Sequence, residues 1–599
     1  MSKRMIYPLM LGLASLALLL CIVQAMASNG QWAPSRALKQ ALADTRRDLI
    51  ISSQQLSDRP DASEIPYFEN LLAARQMNGY SEGDQFIGTF AVTVGKLTPF
   101  LATDVYQSYI EDIVLEPMVA RSPDDLSWQG VLADDWEVSE DGLTLIFHLR
   151  RGVVFSDGSP FTSKDVMFTF DLIKNPELNA PRLAAYYENV VSWESLDDYT
   201  VRFKLAEPYF LGFSVVAGTP IVSSVFYSQF SMAEINTKPG LLVGSGAYML
   251  ADDPIQWRPG RGQITLVRND YYWGPRPALD KIIWREMPDE VARTTAFRNG
   301  EIDALALSGL RYRALKDDAN LQQRGELKVF DDIAGGYLYI GWNQVRDGKP
   351  TFFADQRVRQ AMSMLINREE MAREIMAGLA TPTSGPFHPS GQQANKEIQP
   401  WPHDPERAKQ LLAQAGFEDR DADGVIEDAQ GNDFRFKLTY SSSSPTTAAM
   451  MLYIRDALKR AGIILEPDGL EWTIMLQRID GRDFDSMILG WGGSVEGDPR
   501  QMFHSDMIED GGDNYISHRN AALDQAIDEA RVTVDEQERR QLWHEVHRLL
   551  HEQQPYTFLF TRKDAVYLDN RFGNVRITLI GPNPKGEWAV PINQQVWGD

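Results

Sequence analysis

Trp136-Glu-Val-Ser-Glu-Asp-Gly-Leu-Thr-Leu-Ile-Phe-His-Leu-Arg150 runs on through Gly152-Val-Val-Phe-Ser-Asp-Gly158 to Asp165-Val166. Its spacing sets local structure almost residue by residue. Leu143, Leu145, Phe147 and Leu149 alternate with mostly polar neighbours, the two-residue period of a strand with one buried face. Asp141-Gly142 just before them is a tight-turn pair, so a hairpin is expected there. Asp157-Gly158 closes the next turn. Thr162-Ser163-Lys164-Asp165 then resembles a capping box with Asp in place of Glu, opening a helix through Val166, Phe170 and Ile173. A further strand, Thr200 to Leu205, follows Asp197-Asp198.

Outward from this segment the rhythm differs on each side. Upstream, Phe86 to Val94 reads as a first strand. Downstream, Leu338, Ile340 and Trp342 alternate with Tyr339 and Gly341, and a helix follows from Asp355 to about Ile366. Pro405 to Ala415 reads as a helix with Pro at its first turn. A strand at Phe434–Tyr440, a helix at Thr446–Ala461, a strand at Asp485–Trp491 and helices at Asn520–Ala530 and Glu536–His551 complete the series, before strand character returns at Tyr556–Phe560. Strands alternating with helices of this length indicate an α/β sheet lobe.

Composition narrows the function classes. The 599 residues carry 59 Lys plus Arg against 83 Asp plus Glu, a net charge of −24. Such a surface repels phosphate backbones, so no nucleic-acid partner is expected. The single cysteine, Cys21, excludes a disulfide framework or a Cys-based metal site. Residues 1–27 are a different material: Lys3 and Arg4, an apolar run from Met5 to Val23, then Ala25-Met26-Ala27, the small-x-small pattern a signal peptidase cleaves after. An uncleaved anchor is the rival reading. A lipobox at Cys21 is spoiled by Leu18-Leu19-Leu20. Residues 28–85 read as a helical extension, Ser35–Gln55, followed by a polar linker, Asp58–Pro66.

Catalytic and metal motifs are sparse. Gly348-Lys349 is followed by Pro350, so no phosphate-binding loop forms, and Gly244-Ser245-Gly246 has the wrong spacing for a nucleophile elbow. His544, His547 and His551 share one helix face, as a divalent metal would need, but a solvated helix side is the plainer reading. Asp419, Asp421 and Asp423 with Gly424 begin a calcium-loop pattern, yet Gln430 stands where a closing Glu belongs. An acidic hairpin turn is the alternative. No cofactor is expected.

Several stretches together resemble the family 5 extracellular solute-binding proteins, the dipeptide- and oligopeptide-binding components of ABC importers. They are the 136–166 segment above, Gly244-Ser-Gly-Ala-Tyr248 with Asn269-Asp-Tyr-Tyr-Trp-Gly274, Phe297-Arg-Asn-Gly-Glu-Ile-Asp303, Asp355-Gln-Arg-Val-Arg-Gln-Ala361, and Asp485 through Gly490-Trp491 to Asp498-Pro499. The resemblance implies an α/β, two-lobed fold of the periplasmic-binding-protein-like (type II) kind. Lobe 1 would be 87–325 plus 555–599, with an extra α+β subdomain at about 125–240, and lobe 2 would be 335–552.

It also implies a peptide or small-molecule ligand held between hinged lobes, a membrane permease as partner, a periplasmic location and a monomer without enzymatic turnover. Relatives place an Asp shortly after the Gly-Trp pair to bind the peptide ammonium. Here Trp491 leads to Gly492-Gly493-Ser494, with Ser where that Asp would stand. Glu496 or Asp498 are the possible substitutes, and Asp498-Pro499 also matches a structural pair of the family. Tyr339, Trp342 and Trp491, expected near the cleft, suit peptide side chains and sugar stacking alike. The competing readings are a same-fold receptor for glycans, metal chelates or a signalling partner, and a secreted hydrolase.

Overall fold

The computed structural model describes residues 61–101, 105–331, 336–508 and 512–579. The expected signal segment and the Ser35–Gln55 helix lie outside them. From Ile65 onward the chain is not the loose linker expected. Ile65 and Phe68 are buried in the lobe 1 core. The Phe68 ring lies 4.7 Å from that of Trp273 and covers Gly274, where a Cβ would come within 2.3 Å of it.

Lobe 1 joins two four-stranded sheets through one continuous core. In the first, Gln85–Phe90 runs parallel to Lys281–Glu286, which pairs antiparallel with Gln263–Arg268 and then Tyr248–Leu250. The second is the expected hairpin region: Ala133–Val138 pairs with Thr144–Leu149, which pairs with Thr200–Leu205, and Val190–Asp197 forms the far edge. Gly142 takes φ +68° in the turn, a conformation that favours glycine. The capping box forms, with Thr162 N–H donating to Asp165 and Lys164 N–H to Thr162. Asp165 also accepts from the Ser224 N–H and hydroxyl, at 2.9 and 2.8 Å, and so ties a second helix to the first.

Two motif stretches meet at one buried acid. Glu116 accepts from the Ser245 hydroxyl and the Trp273 indole, both at 2.8 Å. Gly244 and Gly246 lie so close to the Val114 carbonyl that a Cβ would fall 2.1 and 2.8 Å from it. These motifs build the lobe.

Lobe 2 is a mixed sheet in the order Tyr337–Trp342, Ser486–Trp491, Arg435–Ser441, Ile464–Leu470. Tyr337–Trp342 is antiparallel to Ser486–Trp491, and the remaining neighbours are parallel. Arg359, 2% exposed, donates to the carbonyls of Phe353, Gln553 and Gln554. It thereby fixes Gln356–Leu365 against the end of Glu536–Gln553.

The lobes share a strand. Tyr556–Asp569 pairs through Tyr556–Thr561 with Tyr337–Gly341 of lobe 2, and through Lys563–Asp569 with Gly325–Asp331 on the lobe 1 side. Ala380–Pro382 also pairs with its lobe 2 half, at Phe560–Arg562. The expected return to lobe 1 at 555 is therefore corrected: the strand leaves the lobe 2 sheet after Arg562. Its apolar run, Tyr556 to Phe560, is buried against lobe 2.

Just beyond this strand Arg571 anchors the chain in lobe 1. It ion-pairs with Asp303 at 2.7 Å and Asp84 at 3.0 Å, all three buried. Burial opposes the guanidinium charge, but the two carboxylates outweigh it and raise its pKa. Removing one partner of such a cluster strands a buried charge. Asp303→Ala is expected to lower unfolding stability by about 3–5 kcal/mol in urea titration. Glu466→Gln, at the exposed Arg435 pair, should leave the urea midpoint nearly unchanged.

The expectation of a solvated histidine face fails at His547. It is 2% exposed and sits 3.1 Å from the Ser384 hydroxyl, while its Nδ1 accepts the Asn395 N–H at 3.0 Å. Burial, with the neighbouring histidines, lowers its pKa from 6.5 to about 4. Burial similarly lowers His518 to about 3. Both are neutral in the folded chain and regain their protons on unfolding, so their contribution is complete above pH 6.5 and shrinks as pH falls below it. Urea midpoints should fall between pH 6.5 and 4.5, and His547→Gln, which cannot charge, should flatten that slope.

Candidate functional site

Between the lobes lies a cavity of about 450 Å³. Tyr186, Leu211 and Val215 line it from the lobe 1 subdomain. Tyr337, Phe387, Gln393 and the loop from Trp491 to Pro499 line it from lobe 2. A second cavity of about 570 Å³ shares Tyr186 and Asp498 with the first. The cleft thus has two adjoining chambers with walls from both lobes.

The structure gathers the loop residues and separates the two expected aromatics from them. Trp491, Gly492, Gly493, Ser494, Glu496 and Asp498 all line the first chamber. Trp342 does not: it is fully buried in the lobe 2 core, its ring 4.8 Å from that of Phe353 and its indole donating to Thr557 at 3.0 Å. Strand parity explains the correction, since residues three apart on a strand face opposite sides. Tyr339 shares the Trp491 face but is also fully buried, 3.9 Å from the Tyr556 ring. Trp491 is flanked on both sides by near-parallel rings, Tyr339 at 6.4 Å and Tyr515 at 6.2 Å. Neither Trp342 nor Tyr339 offers a face for sugar stacking.

Neither substitute carboxylate stands alone. Glu496 pairs with Arg121 of lobe 1 at 3.0 Å. Asp498 accepts from Tyr209 of lobe 1 and from Arg531, both at 2.8 Å, and its second oxygen accepts the Arg500 N–H. Ser494 is exposed and donates to the Glu496 carbonyl at 2.7 Å. Burial, reinforced by Asp498, raises the Tyr209 pKa, so this phenol remains a donor. Phe210 N–H donates to the Arg531 carbonyl, and the Phe210 ring packs 5.0 Å from Trp543. Loop 207–211 therefore reaches from lobe 1 into lobe 2.

Three features escaped the sequence. Tyr337 lines the first chamber, is 6% exposed, and its hydroxyl has no partner among the described residues. Asp513, 8% exposed, faces the same space and accepts from the Tyr515 hydroxyl. Gly336 takes φ +72° against the loop after Trp491, where a Cβ would lie 1.9 Å from the Trp491 carbonyl. Only Tyr337 carried a signal, its place on the Tyr339 face of an alternating strand.

The acidic loop lies apart from the chambers. Asp419, Asp421, Asp423 and Glu427 bring carboxylate oxygens within 4.8 Å of one another. Asp419 and Asp423 cap loop N–H groups, and buried Glu427 accepts from Arg420 N–H.

The family model described as bacterial extracellular solute-binding proteins, family 5 Middle, matches residues 127–513. The oligopeptide-binding protein AppA of Bacillus subtilis is 28% identical over 491 residues, covering 80% of this chain and 86% of that protein. A di/tripeptide-binding protein of Pseudomonas aeruginosa is 27% identical over 467 residues, covering 73% and 82%. The structure of the Bacillus protein in complex with a nonapeptide superposes with a TM-score of 0.72 at 25% identity, over 85% of this chain and 99% of that one. With the two lobes, the shared strand and a family match across more than half its length, this chain belongs to the bacterial extracellular solute-binding proteins of family 5.

Proposed function

We propose that this protein is the extracytoplasmic solute receptor of an ABC importer, closing its lobes on a peptide and handing it to a membrane permease. The observation that carries this reading is the paired chamber between two lobes joined through one shared strand, beside relatives named for the peptides they bind. The Met5–Val23 run with Ala25-Met26-Ala27 supports export with a cleaved signal.

The receptor acts as a monomer that binds without turnover. Tyr209, Phe210 and Arg121 supply the contacts made when the lobes meet. Closing on ligand is a hinge motion, with the hinge where the shared strand passes between sheets.

A panel of synthetic peptides tests the reading by calorimetry and small-angle scattering. Binding should shrink the radius of gyration and return the peptide intact, whereas hydrolysis, or an unchanged radius at saturation, would overturn it. Tyr209→Phe removes a hydrogen bond to a carboxylate across the cleft and should weaken peptide binding about tenfold or more. Gly336→Ala pushes a methyl group into the Trp491 carbonyl and should likewise weaken binding, with the circular dichroism spectrum kept.

A further inference from the structure

Charge is distributed unevenly over the walls of the cleft. Glu188, Glu207, Glu496, Asp498, Asp506 and Asp513 line the two chambers. Among the described residues the first chamber is lined by no Lys or Arg, and the second by Arg500 and Arg531 alone. Arg531 is committed to Asp498 at 2.8 Å. Arg500 lies within 3.5 Å of Asp506 and 3.7 Å of Asp528. Adding Arg121, which neutralises Glu496 from outside the lining, still leaves carboxylates in excess. A cleft with one sign of charge on low-dielectric walls focuses its field inward and concentrates ligands of opposite sign.

We propose that the cleft selects solutes of net positive charge, and that among peptides it prefers those with basic side chains. The ammonium or guanidinium groups sit among carboxylates of both lobes, so charge recognition is spread over the walls and does not depend on the single position where Ser494 stands. This preference rests on the reading of the chambers as the ligand site. It is separable from the claim that the ligand is a peptide, because the same field favours any compact cation. An acidic ligand would bring a carboxylate toward Glu496, Asp498 and Asp513 with few cations to receive it.

The test is calorimetry with Ala-Lys-Ala, Ala-Gln-Ala and Ala-Glu-Ala, and with spermidine as a cation that is not a peptide. The lysine peptide is expected to bind about tenfold or more tighter than the glutamate peptide, with the gap narrowing as salt is raised. Asp513→Asn and Glu207→Gln should each reduce that ratio, and a ratio unchanged in both would overturn the assignment to this lining. Equal binding of the three peptides, or preference for the glutamate peptide, overturns the charge selection and leaves the peptide receptor standing. Binding of spermidine with no peptide bound supports the charge selection and removes the peptide reading. Failure of the lysine peptide and spermidine together overturns the charge selection.

Discussion

A strand that must hydrogen-bond in two sheets constrains everything else in this molecule. Residues 556–562 are fixed by the ladder of lobe 2 and residues 563–569 by partners on the lobe 1 side. Each half is held by the backbone ladder of its own side, and the change of partner falls at the step from Arg562 to Lys563. The register shift between Leu338 and Tyr339 falls on the same strand pair. Gly336, just before the Tyr337–Trp342 strand, has no room for a side chain, pressed on the carbonyl of Trp491. The start of that strand and the loop after Trp491 are thereby in direct contact.

From this constraint follows the character of the cleft. Carboxylates brought toward a partly enclosed space need partners, and here the opposite lobe supplies Arg121 for Glu496 and Tyr209 for Asp498, which also pairs with Arg531 of its own lobe. Phe210 adds an apolar contact between the lobes, its ring 5.0 Å from that of Trp543. The residues that carry the family resemblance do other work. Glu116 with Ser245 and Trp273, the Thr162–Asp165 box, and Asp303 with Arg571 hold lobe 1 in shape, and none of them lines the two chambers.

Local structure was legible where short-range chemistry decides it. The Thr162–Asp165 box, the Asp141-Gly142 turn and the strands Thr200–Leu205 and Tyr337–Trp342 form as the spacing indicates. Ile464–Leu470 was missed because Pro467 and Gly469 weaken its strand pattern, which an edge position tolerates. Trp342 was misplaced even though strand parity alone sets it opposite Tyr339. His547 looked solvated because its helix repeats polar residues, and the segment that buries it, Ser384 to Asn395, lies over 150 residues away in sequence.

The sequence by itself determined the acidic balance, the capping box, the tight turns and the ordered motifs that carry the family resemblance. These depend on neighbours within a turn or a strand, or on ordered motifs, and the chain states them directly. Only the tertiary structure decided where lobe 2 ends, that the expected linker after Ile65 is core, and which carboxylates in the cleft are already paired. It alone brought Tyr186, Tyr209 and Arg121 to face Trp491 and Asp498. Those outcomes depend on partners hundreds of residues apart, whose approach is fixed by burial and by the shared strand, and no local period encodes them.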